Sequence, residues 1–137
     1  MQRGARRVLV MDDESSVRRL AISMLQSLGY EGEVVPSGSA AVERVTRAVK
    51  NGQRFDVVML DLIVPGEMGG TEAMPQLTAI DPSIKGILIS GLAQDDVMTK
   101  FRDYGFEAAL SKPFSLQELR TTLQTVLAQS TAGWRVH

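Results

Sequence analysis

The chain has no cysteine and only one histidine among its 137 residues. Without cysteine there is no disulfide, no thiolate nucleophile and no cysteine-held metal. The single histidine, His137, is the last residue, so catalysis centred on histidine is not expected. No apolar run approaches the roughly 20 residues that a membrane-crossing helix needs, and no contact with a membrane is expected. The formal charge is −1, which leaves no basic footprint for direct nucleic-acid binding. Arg3, Arg6 and Arg7 precede the apolar stretch Val8 to Met11, which is too short for a secretion signal and runs into Asp12-Asp13-Glu14. The arginines are expected to form a solvated arm, and the protein to be cytoplasmic. A chain of this length makes one domain with its own core.

Against those absences stands a regular alternation. Val8 to Met11 is an unbroken apolar run, as in a strand buried on both faces of a parallel sheet. Val17, Leu20, Ala21, Met24, Leu25 and Leu28 form an apolar stripe at helical spacing, predicting a helix over about 14–28 that Gly29 stops. Tyr30 to Val35 reads as a second strand. Ser37 reads as the N-cap of a helix over 38–50 with Ala41, Val42 and Val45 inward, closed by Asn51-Gly52. Phe55 to Leu60 predicts a third strand ending at Asp61, and Pro65-Gly66 and Gly69-Gly70 mark the loop after it. Pro75 is best placed in the first turn of a helix, so the next helix is expected to begin near Thr71 or Glu72, or to be kinked. Gly86 to Ile89 then reads as a strand ending at Ser90-Gly91, 94–104 as a short helix stopped by Gly105, and Glu107 to Leu110 as a fifth strand before Ser111-Lys112-Pro113. Ser115 and Glu118 have capping-box spacing for a last helix with Leu116, Leu119, Leu123, Val126 and Leu127 on its apolar face. The pattern is an α/β fold, (βα) five times over, with a five-stranded parallel sheet and helices on both faces. It fills residues 6–128 and leaves 129–137 as a tail.

In an open parallel sheet, ligands bind at the carboxyl ends of the strands. Asp12-Asp13, Asp61, Ser90 and Lys112 all follow predicted strands. Each has a bland reading alone: a helix cap, a solvated turn, a loop residue. Together they put three carboxylates, a hydroxyl and an ammonium on one edge. Crowded carboxylates repel until a divalent cation relieves them, and Mg²⁺ needs only a few because it keeps several waters. The Ile63 carbonyl could add a ligand. A carboxylate can also act as nucleophile and accept a phosphoryl group, with a hydroxyl and an ammonium to stabilise the transferred oxygens.

With these stretches the sequence resembles the receiver (CheY-like) domains of bacterial two-component signalling. The resemblance is carried by Val8-Leu9-Val10-Met11-Asp12-Asp13-Glu14, Asp56-Val57-Val58-Met59-Leu60-Asp61-Leu62, Ile89-Ser90-Gly91 and Leu110-Ser111-Lys112-Pro113-Phe114. It implies a doubly wound sheet of flavodoxin-like order 2-1-3-4-5. It implies that Asp61 takes a phosphoryl group from a phosphohistidine on a histidine kinase or histidine phosphotransfer protein. Asp13 and Asp61 would bind Mg²⁺ directly, Asp12 mainly through water, and Ile63 by its carbonyl. Ser90 and Lys112 would hold the phosphoryl oxygens, and the Lys112–Pro113 bond would be cis. Such a domain is a switch that catalyses only its own phosphotransfer and dephosphorylation, as a monomer or weak homodimer. Val64 to Gly70 resembles the loop of receivers at the C-terminal end of hybrid sensor histidine kinases, so the chain is expected to be either a stand-alone receiver or, preferably, the terminal receiver of such a kinase.

Two positions depart from the receiver pattern. Many receivers carry an aromatic residue three positions before the lysine, and here that position is Ala109. Activation is therefore expected to be read through the loop after Ser90 and the helix that follows, without an aromatic rotor. Ile63 and Leu92 are apolar where a polar side chain could orient a hydrolytic water, so a long-lived aspartyl phosphate is expected. Three rival functions stand beside the switch. An aspartate-nucleophile phosphatase commonly has a second Asp at the position of Ile63. A receiver that no longer accepts phosphate and serves only as an interaction module would not need the intact acidic set. A flavodoxin-like cofactor binder needs a glycine- or hydroxyl-rich loop that is missing after the first strand. Met11, Met24, Met59, Met74, Met98 and Phe101 are expected in or against the core, and Phe114 beside the last helix.

Overall fold

A computed structural model describes residues 4–92 and 95–135, with side chains as far as Ala128. Five strands, β1 (Arg7–Met11), β2 (Glu31–Val35), β3 (Val57–Asp61), β4 (Lys85–Ser90) and β5 (Ala108–Ser111), form one parallel sheet in the order β2-β1-β3-β4-β5. Helices α1 (Ser15–Ser27), α2 (Gly38–Lys50), α3 (Gly70–Ile80), α4 (Asp96–Thr99) and α5 (Leu116–Arg135) connect and follow the strands. The alternation legible in the sequence is thus the doubly wound fold expected.

Strand residues divide between two cores by their period of two. Leu9, Met11, Val58, Leu60 and Leu88 pack with Ala41 and Val45 of α2 and Ala73, Met74 and Leu77 of α3. Val8, Val10, Val57, Met59, Ile87 and Ile89 pack on the other face with Ala21 and Leu25 of α1 and Leu119, Leu123 and Val126 of α5. Both faces of β1 and β3 are therefore dry, which is why these strands read as unbroken apolar runs. Met11, Met59, Met74 and Met98 are buried, Met24, Phe101 and Phe114 half-buried against the cores.

Helix ends follow their caps. The Ser37 hydroxyl accepts the Ala40 N–H at 3.2 Å. Ser115 and Glu118 close a reciprocal box, with Ser115 N–H to Glu118 Oε1 at 2.8 Å and Glu118 N–H to Ser115 Oγ at 3.0 Å. Gly29 and Gly105 take φ of 88° and 90°, left-handed values that end α1 and the turn before β5.

The structure corrects several expectations. The segment over 94–104 is not one helix: α4 covers only Asp96–Thr99, and a 3₁₀ turn covers Phe101–Tyr104. Asp, Val, Thr and Phe are weak helix formers, and the Thr99 hydroxyl donates to the Asp96 carbonyl at 2.9 Å, offering the backbone an alternative to the helical ladder. Gln94 is outside the described residues. Helix α3 begins at Gly70, next to the expected start near Thr71, but Pro75 lies beyond its first turn. Pro75 is exposed, and the carbonyl it deprives of a partner can turn to water. Leu20 is 55% exposed rather than core, because at about 100° per residue it falls at the margin of the stripe centred on Ala21. Arg7 is no solvated arm. It opens β1, donates from Nη2 to Glu33 at 2.9 Å and from Nη1 to the Gln53 carbonyl at 3.1 Å, and lies 4.4 Å from the Phe55 ring centroid. Arg3 and His137 are outside the described residues. The α5 backbone continues through Arg135, past Ala128 where the apolar pattern stops. Among the described residues no helix is long and apolar enough to cross a membrane.

Candidate functional site

Strand register assembles the site. Met11 lies beside Leu60 in the β1–β3 ladder, which brings the next residues, Asp12 and Asp61, side by side. Asp61 lies beside Ile89 and Ser90 beside Ser111 in the following ladders. The Leu62 N–H to Ile89 carbonyl bond at 2.9 Å and the Lys112 N–H to Ser90 carbonyl bond at 2.8 Å carry the pairing one residue further. Asp12, Asp13, Asp61, Ser90 and Lys112 are thereby gathered from four strands, although the chain separates Asp12 from Lys112 by 100 positions.

Carboxylate oxygens of Asp12, Asp13 and Asp61 lie within 4.8 Å of one another. Asp12 is fully buried, Asp61 is buried, and Asp13 is exposed, so the trio opens to solvent on one side. Lys112 Nζ stands 2.9 Å from Asp12 Oδ2 and 3.4 Å from Asp61 Oδ2. Burial pushes the Asp61 carboxyl up to about 6, the Asp12 charge adds to this, and Lys112 opposes it. Burial works against the Lys112 charge, but the hydrogen bond to Asp12 and the Asp61 charge outweigh it, so its ammonium is held above the usual lysine range. One cation facing three acids leaves an excess of negative charge, a donor set of hard oxygens suited to a small divalent cation.

A cleft of about 510 Å³ opens onto this group. Its lining combines the polar Asp13, Asp61, Ser90 and Lys112 with the apolar Val17, Leu20, Ile63, Leu92, Pro113 and Phe114. Ser90 Oγ accepts the Leu92 N–H at 2.9 Å, leaving its proton free to donate. Ile63 and Leu92 are 51% and 50% exposed on the rim. The Lys112–Pro113 peptide is cis. Ala109 is half-buried on β5. Two further polar residues stand beside the site: Glu14, part of the Asp12-Asp13-Glu14 run, whose Oε1 lies 3.9 Å from Lys112 Nζ, and Arg18, not expected from the sequence, which grips the Asp12 carbonyl at 2.8 Å. Their spacing of four residues at the start of α1 was the available signal.

Residues 8–124 match the family described as the response regulator receiver domain. The chain belongs to that family. The receiver domain is 35% identical over 127 residues to the sensor kinase CckA of Brucella abortus, a match covering 90% of this chain but 13% of the kinase. It therefore spans a small part of that relative's length. It is 27% identical to sporulation initiation phosphotransferase F of Bacillus subtilis, over 88% of this chain and 93% of that protein. Among solved structures, the receiver domain of the sensor histidine kinase PA1611 from Pseudomonas aeruginosa, described with a magnesium ion coordinated in its active-site cleft, superposes with a TM-score of 0.78 at 25% identity, over 91% of this chain and 99% of that one. Membership implies phosphoacceptor signalling within two-component systems.

Proposed function

We propose that this receiver domain is a Mg²⁺-dependent phosphoacceptor switch, with Asp61 taking a phosphoryl group from a phosphohistidine partner. The observation that carries this reading is the convergence of three carboxylates and one lysine within hydrogen-bonding reach on one sheet edge. Asp12, Asp13 and Asp61, with the Ile63 carbonyl, would hold Mg²⁺. The ion would supply positive charge to the phosphoryl oxygens. One Asp61 oxygen forms the new O–P bond as the P–N bond of the donor imidazole breaks, and the imidazole nitrogen keeps the electron pair. Lys112 donates to one phosphoryl oxygen and Ser90 Oγ–H to another. Ser90 would move toward the phosphoryl group and carry the following loop with it, and that change of surface is what a partner would read. The exposed apolar residues Leu20, Ile63 and Leu92 around the acidic group suit docking by a partner that carries the phosphohistidine.

The domain so read turns over only its own phosphate and is not otherwise an enzyme. Its setting is cytoplasmic, with a histidine kinase or histidine phosphotransfer protein as partner. It would work as a monomer or weak homodimer, with no direct nucleic-acid contact and no membrane contact of its own. The match to a small part of a sensor kinase, together with the Val64 to Gly70 loop, favours an origin at the C-terminal end of a hybrid histidine kinase over 6–128.

Incubation with acetyl phosphate and Mg²⁺ tests the reading. Intact-protein mass is expected to rise by one phosphoryl group in wild type and by none in Asp61→Asn or in EDTA. Failure of both acetyl phosphate labelling and Mg²⁺-dependent beryllofluoride binding would favour the interaction module instead. The adduct is also expected to persist, because the apolar Ile63 and Leu92 give an attacking water no hydrogen bond. One such bond in the transition state is worth about 1.4 kcal/mol, so Leu92→Asn should shorten the adduct's lifetime about tenfold. Rapid loss from wild type without a phosphatase would contradict this.

A further inference from the structure

The β1–α1 loop carries two of the three converging carboxylates, and a side chain with no part in the transfer just described holds it in place. Arg18 Nη1 donates to the Asp12 carbonyl at 2.8 Å. The other polar atoms of Asp12 are also taken. Oδ1 accepts the Glu14 N–H at 2.9 Å, Oδ2 accepts Lys112 Nζ at 2.9 Å, and the Asp12 N–H donates to the Val35 carbonyl at 3.1 Å. Asp13 differs: it is exposed, and among the described residues no hydrogen bond or ion pair holds its carboxylate.

The carbonyl that Arg18 grips belongs to the peptide unit joining Asp12 to Asp13. That unit is planar and rotates as a body, so its orientation sets the direction in which the Asp13 side chain leaves the backbone. We propose that Arg18 is a positioning residue for cation binding: by clamping this peptide it aims Asp13 into the space it shares with Asp12 and Asp61. The inference rests on the reading of these carboxylates as a Mg²⁺ site.

The clamp can be told from a plain charge effect by sign. A guanidinium near an acidic site repels a divalent cation, so deleting its charge should tighten Mg²⁺ binding. Deleting a clamp should loosen it, since losing a group that orients a metal ligand costs on the order of tenfold or more in affinity. Lysine keeps the charge but has neither the reach nor the planar fork of arginine, so it should restore affinity only in part. Arg19, the exposed neighbour on α1, offers the same charge change without the clamp.

Mg²⁺ titration by calorimetry would be run on wild type, Arg18→Ala, Arg18→Lys and Arg19→Ala, with ¹⁵N spectra of each metal-free protein. The Mg²⁺ Kd is expected to rise about tenfold in Arg18→Ala, to fall between the two in Arg18→Lys, and to stay unchanged or drop slightly in Arg19→Ala. The Asp13 amide signal should shift in metal-free Arg18→Ala and stay in place in Arg19→Ala. Unchanged or tighter Mg²⁺ binding by Arg18→Ala overturns the clamp. Should that variant not fold, Arg18→Lys decides: weakened binding supports the proposal and wild-type affinity overturns it. A wild type that takes up no Mg²⁺ removes the reading beneath the proposal, and the proposal with it.

Discussion

Replacing Asp61 by Asn is expected to stabilise the metal-free protein at pH 8 by about 2–3 kcal/mol while abolishing phosphoryl uptake. The carboxyl titrates near 3.8 when unfolded and is pushed to about 6 by burial and by Asp12 in the folded state. The folded protein therefore holds this proton more tightly. Its stabilising effect is complete below pH 3.8 and is lost as pH rises through about 6. At pH 8 the folded state carries the full cost of a buried, repelled charge, which at about 1.4 kcal/mol per pKa unit gives the figure above. Asparagine cannot ionise and escapes that cost. The gain should vanish near pH 4, where wild-type Asp61 is protonated once folded. Saturating Mg²⁺ should shrink or reverse it, because a cation that binds only the native wild type stabilises that protein by mass action. Urea melts at pH 4 and pH 8, with and without Mg²⁺, check all of this. No gain at pH 8 without metal would falsify the assignment of Asp61 as the strained carboxylate.

The opposite change is expected from Lys112→Met. Asp12 is wholly buried, and among the described residues Lys112 is the only cation paired with its carboxylate. Removing one member of a buried pair leaves an uncompensated charge, at a cost of about 3–5 kcal/mol. The lower end applies, since Lys112 keeps some exposure and Asp61 can take up a proton when its counter-charge goes. A loss of about 3 kcal/mol is expected at pH 8, smaller at pH 5. Lysine is charged in both states across that range, so the pH dependence comes from the carboxylates. Addition of Asp61→Asn should recover much of the loss, and that non-additivity is the sign of direct coupling. A pH-independent loss would point to packing by the lysine stem instead.

The two changes act on residues that could be read from the sequence for one reason. Asp61 and Lys112 sit at the ends of strands, and a parallel sheet aligns all its carboxyl ends, so strand recognition places them on one edge, while their roles come from the receiver resemblance. The runs around Val10 and Met59 were clear because both faces of their strands are buried. What the sequence does not show depends on neighbours distant along the chain. Leu20 has the spacing of a core residue, yet it lies at the edge of a helix beside a cleft. Arg7 looked like part of a basic arm until Glu33, Gln53 and Phe55 closed round it. Pro75 marks a first turn by its own chemistry, whereas the start of α3 is set by Gly69 and Gly70. A Cβ on Gly69 would come within 2.5 Å of the Leu62 carbonyl oxygen, and one on Gly70 within 2.8 Å of the Asp61 carbonyl oxygen. The 94–104 segment had helical spacing without the propensity to hold it.

The contact between Lys112 and Asp12 spans 100 positions of chain, which bears on when the site comes into being. Contacts of such long range form late, because the loop between them must close first. A ribosome releasing this chain from its N-terminus exposes both aspartates of the first loop long before β5 and its lysine emerge. Until then the acids have neither their counter-charge nor the neighbouring strand end that fixes Ser90. On the phosphoacceptor reading, the site would be complete only once β5 has docked beside β4, so that competence would report the pairing of the last two strands of the sheet's order.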